Sequence, residues 1–273
     1  MTEKKMSKMK LVLLAGQSNM AGRGNAGPDD LTEIPGLKMF CKDFLWRPAI
    51  EPLHKDRSFV GTFNEDGTKV LGATPWEIVL PKAGQHSCGV TPGRTFGRLL
   101  LEDNPGCEVG LIPTSVGGTD IAAWQPGGVD KADNANHPYD DALAMAREAQ
   151  KYGEIVAILW HQGENDAGGP TPDYRELLTA TVCNFRRDLG LGESVPFILG
   201  ELASFYKADW RVNVPFIDEA IRAVAASLPN AAVVKTKDLP DKGDALHFDT
   251  ASAHELGRRY YEAFRQLTGK SKG

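Results

Sequence analysis

The chain has 273 residues, of which 41% are hydrophobic, and a formal net charge of -5. This size allows one large domain or at most two small ones, and we expect a single domain over residues 1–273. A charged fraction of 25% without a clustered basic stripe argues against nucleic-acid binding. A small or neutral substrate fits this composition better.

The four cysteines are scattered, with neither a C-x-x-C spacing nor the density of a disulfide scaffold, and we expect mostly buried thiols. They are Cys41, Cys88, Cys107 and Cys183. The apolar run at residues 11–15 is too short for a secretory signal and far below the ~20 residues that span a bilayer. We therefore expect a buried strand there, no membrane partner, and a cytoplasmic protein unless a signal before residue 1 has been removed.

Five short apolar runs are predicted to form the strands of one parallel sheet. They are continuous hydrophobic stretches, as is typical of strands that helices cover on both faces. The runs lie at residues 10–15, 109–114, 155–161, 196–202 and 231–236.

Five segments with apolar residues at helical spacing alternate with these runs. They lie at residues 92–104, 139–152, 172–189, 214–228 and 250–267. Thr91 and Thr171 each place a capping hydroxyl before a proline, and Asp249 opens the last segment. The alternation predicts an α/β fold, a three-layer α/β/α sandwich around a five-stranded parallel sheet.

Residues 22–85 do not follow this alternation of strands and helices. The segment is rich in Gly and Pro, has few periodic runs, and carries scattered aromatic residues. Loops of this length in compact domains are usually functional or disordered, and the aromatics favour an ordered excursion. We expect it to lie over or beside the active site.

Polar residues follow the predicted strands at the points where ligands bind in open parallel sheets. Residues 16–22, 114–119 and 161–166 follow the first three strands, and Asp244 and His247 precede the final helix. A serine nucleophile needs an imidazole to take its proton, and the imidazole needs an acceptor on its other nitrogen. Ser18, His247 and Asp244 could fill these three roles.

The oxyanion of an acyl-transfer intermediate must meet fixed hydrogen-bond donors. Three candidates follow the first three strands: the backbone N–H of Ser18, the backbone N–H of a glycine in the pair 117–118, and the side-chain amide of Gln162.

Each motif alone also has a structural interpretation. Ser18 could cap a helix, the glycine pair could form a tight turn, and Asp244 could bond His247 within a loop. Their joint placement favours catalysis.

The remaining histidines do not indicate a metal centre. His86, His137, His161 and His254 show no metal-binding spacing, and we expect neither a metal nor a cofactor. His161 follows the third strand directly, and its expected role is structural, packed behind the site and hydrogen-bonded to a loop.

The phrases LLAGQSNMAG, SVGGT, WHQGEND and DALHFD resemble the sequence blocks of the SGNH hydrolases. The similarity is to the branch with carbohydrate esterase family six and the sialate O-acetylesterases, and it runs in family order from residue 11 to about 265. It implies a flavodoxin-like fold, Ser18 as nucleophile and His247 as base. It ranks Asp244 first and Glu164 second as the acid partner.

By the same resemblance, the amides of Ser18, Gly118 and Gln162 are the oxyanion donors; the glutamine stands where the superfamily usually has asparagine. Gln17, Trp124 and Arg94 are candidate substrate contacts. Trp124 could equally be a packing anchor, and a solvated helix-surface residue is the simpler interpretation of Arg94.

The expected function is removal of acetyl or other short acyl groups from an acetylated carbohydrate, with an acetylxylan esterase-like activity placed first. A sialate O-acetylesterase, a lipase or thioesterase for longer acyl chains, and a non-catalytic carbohydrate-binding relative are the alternatives. Neither the sugar nor the oligomeric state follows from the sequence.

Overall fold

The computed structural model describes residues 9–54, 88–134, 136–206 and 212–269, together with the backbone of 62–63 and 69–70. The strands are β1 (Met9–Gly16), β2 (Leu37–Phe40), β3 (Trp46–Pro48), β4 (Thr62–Phe63), β5 (Lys69–Val70), β6 (Val109–Pro113), β7 (Gly153–His161), β8 (Phe197–Gly200) and β9 (Ala231–Val234). The α-helices are α1 (Ser18–Ala21), α2 (Pro92–Glu102), α3 (Pro138–Ala149), α4 (Tyr174–Asp188), α5 (Val214–Ser227) and α6 (Thr250–Leu267). Short 3₁₀ turns lie at Ile121–Trp124 and Asp166–Gly168.

The main sheet has seven strands in the order β3-β2-β6-β1-β7-β8-β9. All neighbours are parallel except β3, which is antiparallel to β2. The five predicted strands are present, but the expected count of five is wrong. β2 and β3 come from the segment predicted to be irregular, and they extend the sheet beyond β6.

Helices cover both faces of the sheet, as the continuous apolar runs predicted. Along β1, Leu11 and Leu13 pack into the cluster that contains residues of α3, α4 and α5. Val12 and Leu14 pack into the other cluster, with residues of α2 and α6. Because successive side chains of a strand point to opposite faces, a strand buried on both sides must be apolar throughout.

Two of the three predicted helix starts are confirmed. The Thr91 hydroxyl accepts a hydrogen bond from Gly93 N at 3.2 Å at the start of α2, and the Asp249 carboxylate accepts one from Ser252 N at 2.7 Å at the start of α6. The prediction for Thr171 is wrong. α4 begins only at Tyr174, and the Thr171 hydroxyl donates instead to the carbonyl of Asp166, at 3.3 Å.

The described part of segment 22–85 is joined to the body of the protein near the site. Gly24 pairs with Val90 in an isolated bridge, and Thr250 donates to the carbonyl of Asn25 at 2.7 Å. Residues 55–61, 64–68 and 71–87 lie outside the described residues, so the expected position of the whole segment at the active site stays a prediction.

The cysteines are less buried than we expected. Only Cys41 is fully buried, because Cys88 and Cys107 lie in loops and Cys183 is on the exposed side of α4. No disulfide joins these four residues.

None of the helices in the described ranges is both long enough and apolar enough to cross a membrane.

Candidate active site

The turn after β1 presents Ser18 at the carboxyl edge of the sheet. Gly16 has φ +123°, and a Cβ built there would lie 2.1 Å from the carbonyl oxygen of His161 in β7. Only glycine can leave the sheet so close to the neighbouring strand. Ser18 then begins the short helix α1 and keeps 5% of its surface exposed.

The structure brings together the three residues expected to form the catalytic set. The hydroxyl oxygen Oγ of Ser18 lies 3.1 Å from Nε2 of His247, which comes 229 positions later in the chain. The other ring nitrogen, Nδ1, lies 2.7 Å from Oδ2 of Asp244. A serine hydroxyl, an imidazole and a carboxylate are therefore aligned within hydrogen-bond distance, as a nucleophile, a base and its acid partner would require.

The loop that carries His247 is shaped by its own hydrogen bonds. Oδ1 of Asp244 accepts the backbone N–H groups of Leu246 and His247, at 2.9 and 2.8 Å. The N–H of Lys242 donates to the carbonyl of His247 at 2.9 Å. One carboxylate thus holds both the backbone and the ring of the histidine, which fixes the direction of Nε2.

The electrostatic surroundings favour a neutral imidazole beside an ionised carboxylate. Burial lowers the pKa of His247 from 6.5, and the bond to Asp244 opposes this shift. Burial raises the pKa of Asp244, but the hydrogen bonds from the ring and backbone of His247 outweigh it and hold the pKa below 3.8. A neutral imidazole is the form that can accept a proton from a serine.

Two backbone donors are available at this edge. The N–H groups of Ser18 and Gly118 donate no hydrogen bond to any residue that the structure describes. Gly118 is exposed and has φ +70°. Its loop is fixed to the end of β1, because Val116 N donates to the carbonyl of Gly16 at 2.9 Å. Both predicted backbone donors therefore have no acceptor among the described residues.

Gln162 does not offer the free donor that the sequence predicts. Its amide nitrogen donates to the carbonyl of Thr119 at 3.0 Å and to the carboxylate of Asp166, which uses both amide hydrogens. Asp166 also accepts the N–H of Ile121 at 3.0 Å, and burial raises its pKa to about 6. The glutamine and the aspartate thus join the loop after β7 to the loop after β6, which carries Gly118.

Gln17 instead has a side-chain N–H group that is available to donate. Its oxygen Oε1 accepts the N–H groups of Gly163 and Asn165, at 3.3 and 3.4 Å, which fixes the orientation of the side chain. Its nitrogen Nε2 donates to none of the residues in the described ranges. A candidate substrate contact is thus held in place directly before Ser18.

Glu164 lies against Asn19 and His161, and its negative charge acts to raise the pKa of His247. Its Oε1 accepts from Nδ2 of Asn19 at 2.7 Å and lies 3.5 Å from Nε2 of His161. His161 is fully buried behind the site, as expected, although its Nδ1 faces the hydroxyl of Tyr260 in α6, at 3.3 Å, and not a loop. Burial lowers the pKa of this histidine.

Two candidate substrate contacts are used in packing. Trp124 is fully buried, its indole donates to the hydroxyl of Thr119 at 3.0 Å, and its ring meets Trp160 edge-on, so it has no face for a sugar. Arg94 is 8% exposed, and its guanidinium donates to the carbonyls of Ala49 and Thr32. The structure therefore supports the packing alternative for Trp124, and the expectation of a solvated Arg94 is wrong.

Sequence reasoning missed Asn19 and Arg23. Asn19 joins Glu164 to the loop of His247, and the positive charge of Arg23 contributes to the lowered pKa of His247. The position of Asn19 directly after Ser18 was the available signal. In the ranges that the structure describes, no three His, Cys, Asp or Glu side chains are grouped so that they could hold a metal ion.

A family model and a known protein that match this sequence are both described as carbohydrate esterases. The family model for carbohydrate esterase, sialic acid-specific acetylesterase matches residues 8–266. A probable carbohydrate esterase from Arabidopsis thaliana is 29% identical over 274 residues, covering 93% of this chain and 89% of that protein.

Solved structures share the fold of this chain. An X-ray structure of a protein from Arabidopsis thaliana aligns with a TM-score of 0.71 at 26% identity, covering 95% of this chain and 98% of that chain. A carbohydrate acetylesterase from Xanthomonas citri aligns with a TM-score of 0.67 at 20% identity, covering 96% of this chain and 57% of that chain, and supports the fold. The predicted resemblance is confirmed: the chain belongs to the carbohydrate esterase family of sialic acid-specific acetylesterases, and it is an ester hydrolase of the O-acetylesterase type.

Proposed function

We propose that this enzyme removes acetyl or other short acyl groups from a carbohydrate through an acyl-enzyme on Ser18. The observation that carries the proposal is the continuous contact from Ser18 Oγ through the His247 ring to Asp244, at 3.1 and 2.7 Å. No metal or cofactor is required by this chemistry.

The reaction has two steps. Ser18 Oγ attacks the ester carbonyl while Nε2 of His247 takes the hydroxyl proton, and Asp244 stabilises the resulting imidazolium. Collapse of the tetrahedral intermediate breaks the ester bond, and His247 returns the proton to the departing sugar oxygen. Water then attacks the acyl-serine with the same base, which releases the short carboxylic acid and restores Ser18.

The backbone N–H groups of Ser18 and Gly118 serve as oxyanion donors in this proposal. Losing one such donor costs on the order of 3 kcal/mol of barrier lowering where it has been measured. Gln162 acts indirectly, because its bond to the carbonyl of Thr119 holds the loop that carries Gly118. The free Nε2 of Gln17 supplies a further donor to the bound ester.

The substrate class is an acetylated carbohydrate. The description of the matching family favours acetylated sialic acid, whereas the sequence alone placed an acetylxylan-type substrate first. Measuring acetate release from acetylated sialic acids, acetylated xylan and acetylated glucose ranks these substrates directly. The expected result is turnover of at least one of them, with p-nitrophenyl acetate as the general reporter.

Replacing the nucleophile tests the mechanism. Ser18→Ala is expected to lower p-nitrophenyl acetate hydrolysis by about 10³-fold or more while leaving the fold intact, because the acyl acceptor is gone. A folded Ser18→Ala variant that kept wild-type activity would sink the assignment.

A chain-length series separates the remaining alternatives. An acetylesterase should lose activity steeply on nitrophenyl esters longer than propionyl, whereas a lipase or thioesterase would prefer longer chains. Sugar binding by the wild-type protein without turnover of any ester would favour the non-catalytic relative instead.

A further inference from the structure

Asn19, the residue after the nucleophile, contacts the backbone on both sides of His247. Its Nδ2 donates to the carbonyl of Leu246 at 3.2 Å, and its Oδ1 accepts the N–H of Phe248 at 3.2 Å. The side chain is 3% exposed, so these bonds are shielded from water. One amide thus joins the short helix of the nucleophile to the two residues that flank the base.

Most other hydrogen bonds of this loop lie within it. Asp244 accepts the N–H groups of Leu246 and His247, and Lys242 N donates to the carbonyl of His247. These bonds set the shape of the loop and the direction of the histidine ring. They do not set its distance from Ser18, which belongs to a different part of the chain.

The loop after β7, through Glu164, fixes the orientation of the Asn19 amide. Glu164 Oε1 accepts from Nδ2 at 2.7 Å, and the hydroxyl of Tyr206 lies 3.1 Å from the same nitrogen. Glu164 is fully buried, and its Oε1 lies 3.5 Å from Nε2 of His161. The other ring nitrogen of His161 lies 3.3 Å from the hydroxyl of Tyr260. Because Nδ2 points to Glu164 and Leu246, Oδ1 is the atom left to face Phe248.

We propose that Asn19 is a positioning residue for the esterase reaction, which holds the His247 loop at proton-transfer distance from Ser18, and that Glu164 acts by orienting Asn19. The inference rests on the proposed function, since it assigns His247 as the base for Ser18. It gives Glu164 a role through Asn19, beside the effect of its negative charge on the pKa of His247.

The test compares Asn19→Ala with a matched control, Thr250→Val. Thr250 also joins the start of α6 to a distant segment, through its bond to the carbonyl of Asn25, but it does not flank His247. Asn19→Ala is expected to lower kcat for p-nitrophenyl acetate by about 100-fold with KM within about threefold, as a displacement near 1 Å would. Thr250→Val should keep kcat within about threefold.

A proton NMR signal distinguishes positioning from loss of the loop structure. The His247–Asp244 bond lies within the loop, so its downfield ring N–H resonance should persist in Asn19→Ala even though kcat falls. Wild-type kcat in a folded Asn19→Ala would overturn the proposal, and so would loss of the N–H resonance together with activity.

A reciprocal pair keeps the test decisive should Asn19→Ala fail to fold. Asn19→Asp combined with Glu164→Gln restores a hydrogen bond between the two positions but removes the donor to Leu246. A folded double variant with kcat lowered about 100-fold supports the proposal, and one with wild-type kcat refutes it. Full activity in Ser18→Ala would refute the proposed mechanism separately.

Discussion

In the proposed mechanism His247 must be neutral to accept the proton of Ser18, so its pKa sets the acidic limit of activity. Burial lowers this pKa from 6.5, with the bond to Asp244 opposing the shift. A base with a lowered pKa stays unprotonated to lower pH. We therefore predict that the acidic limb of kcat/KM for p-nitrophenyl acetate has its midpoint below pH 6.5; a midpoint above 6.5 would contradict this environment for the base.

Asp244 and Glu164 make different contacts, which leads to different predictions for their variants. Asp244 bonds the ring and backbone of His247, so Asp244→Asn should lower kcat by about 10³-fold or more, as expected when a base loses its acid partner. Glu164→Gln keeps an acceptor for Asn19 and should lose less. Parallel kcat measurements decide, and a larger loss in the glutamate variant would reverse the ranking.

The turn between β1 and α1 depends on Gly16. We predict that Gly16→Ala strongly destabilises the protein, because the added Cβ would lie 2.1 Å from the carbonyl oxygen of His161 in a backbone with φ +123°. Gly127→Ala is the matched control: its φ is +74°, but no atom would lie within 4 Å of the new Cβ. The control should lose only about 1–2 kcal/mol of unfolding free energy.

Urea unfolding of both variants measures the difference. Equal losses of unfolding free energy would show that the close approach of β1 to β7 does not make this glycine necessary.

Secondary structure was predictable where the burial of an element determines which of its residues are apolar. The five predicted strands are continuous apolar runs because helices cover the two faces of the sheet, and the helices between them show amphipathic spacing. β2 and β3 are only four and three residues long, and Lys38 and Arg47 interrupt their apolar residues. β2 is a strand because β6 offers it an edge for pairing, and β3 is a strand because it pairs with β2 in turn. Such pairing is a tertiary property.

Buried carboxylates give the whole molecule a pH-dependent stability. Burial raises the pKa of Glu51 from 4.5 to about 8, against the opposing effect of bonds from Thr91 N and Leu53 N. Between these values the unfolded chain has lost the proton that the folded state keeps. Stability should therefore fall as pH rises from 7 to 8, by about 1 kcal/mol from this group.

Urea unfolding at pH 7 and 8 checks this dependence, with Glu51→Gln as the comparison. The variant cannot ionise at this position and should show a smaller decrease. An equal decrease in both proteins would exclude Glu51 as its source.

The proximity of Ser18, Asp244 and His247 was predictable because these residues follow strands of one parallel sheet, whose carboxyl ends meet at one edge. The finer assignments were not. Whether Gln162 is free to donate depends on the distant carbonyl of Thr119, and whether Trp124 faces a sugar depends on how it packs against Trp160. Such contacts are set by the assembled layers, so residue type and spacing alone leave them open.

Labelling of the nucleophile tests the central claim most directly. Treatment with a fluorophosphonate, followed by peptide mass spectrometry, should place one adduct on Ser18, with hydrolysis of p-nitrophenyl acetate lost in proportion to labelling and no adduct in Ser18→Ala. A protein that keeps its activity when Ser18 is fully labelled, or that loses activity through an adduct at another residue, would contradict the account.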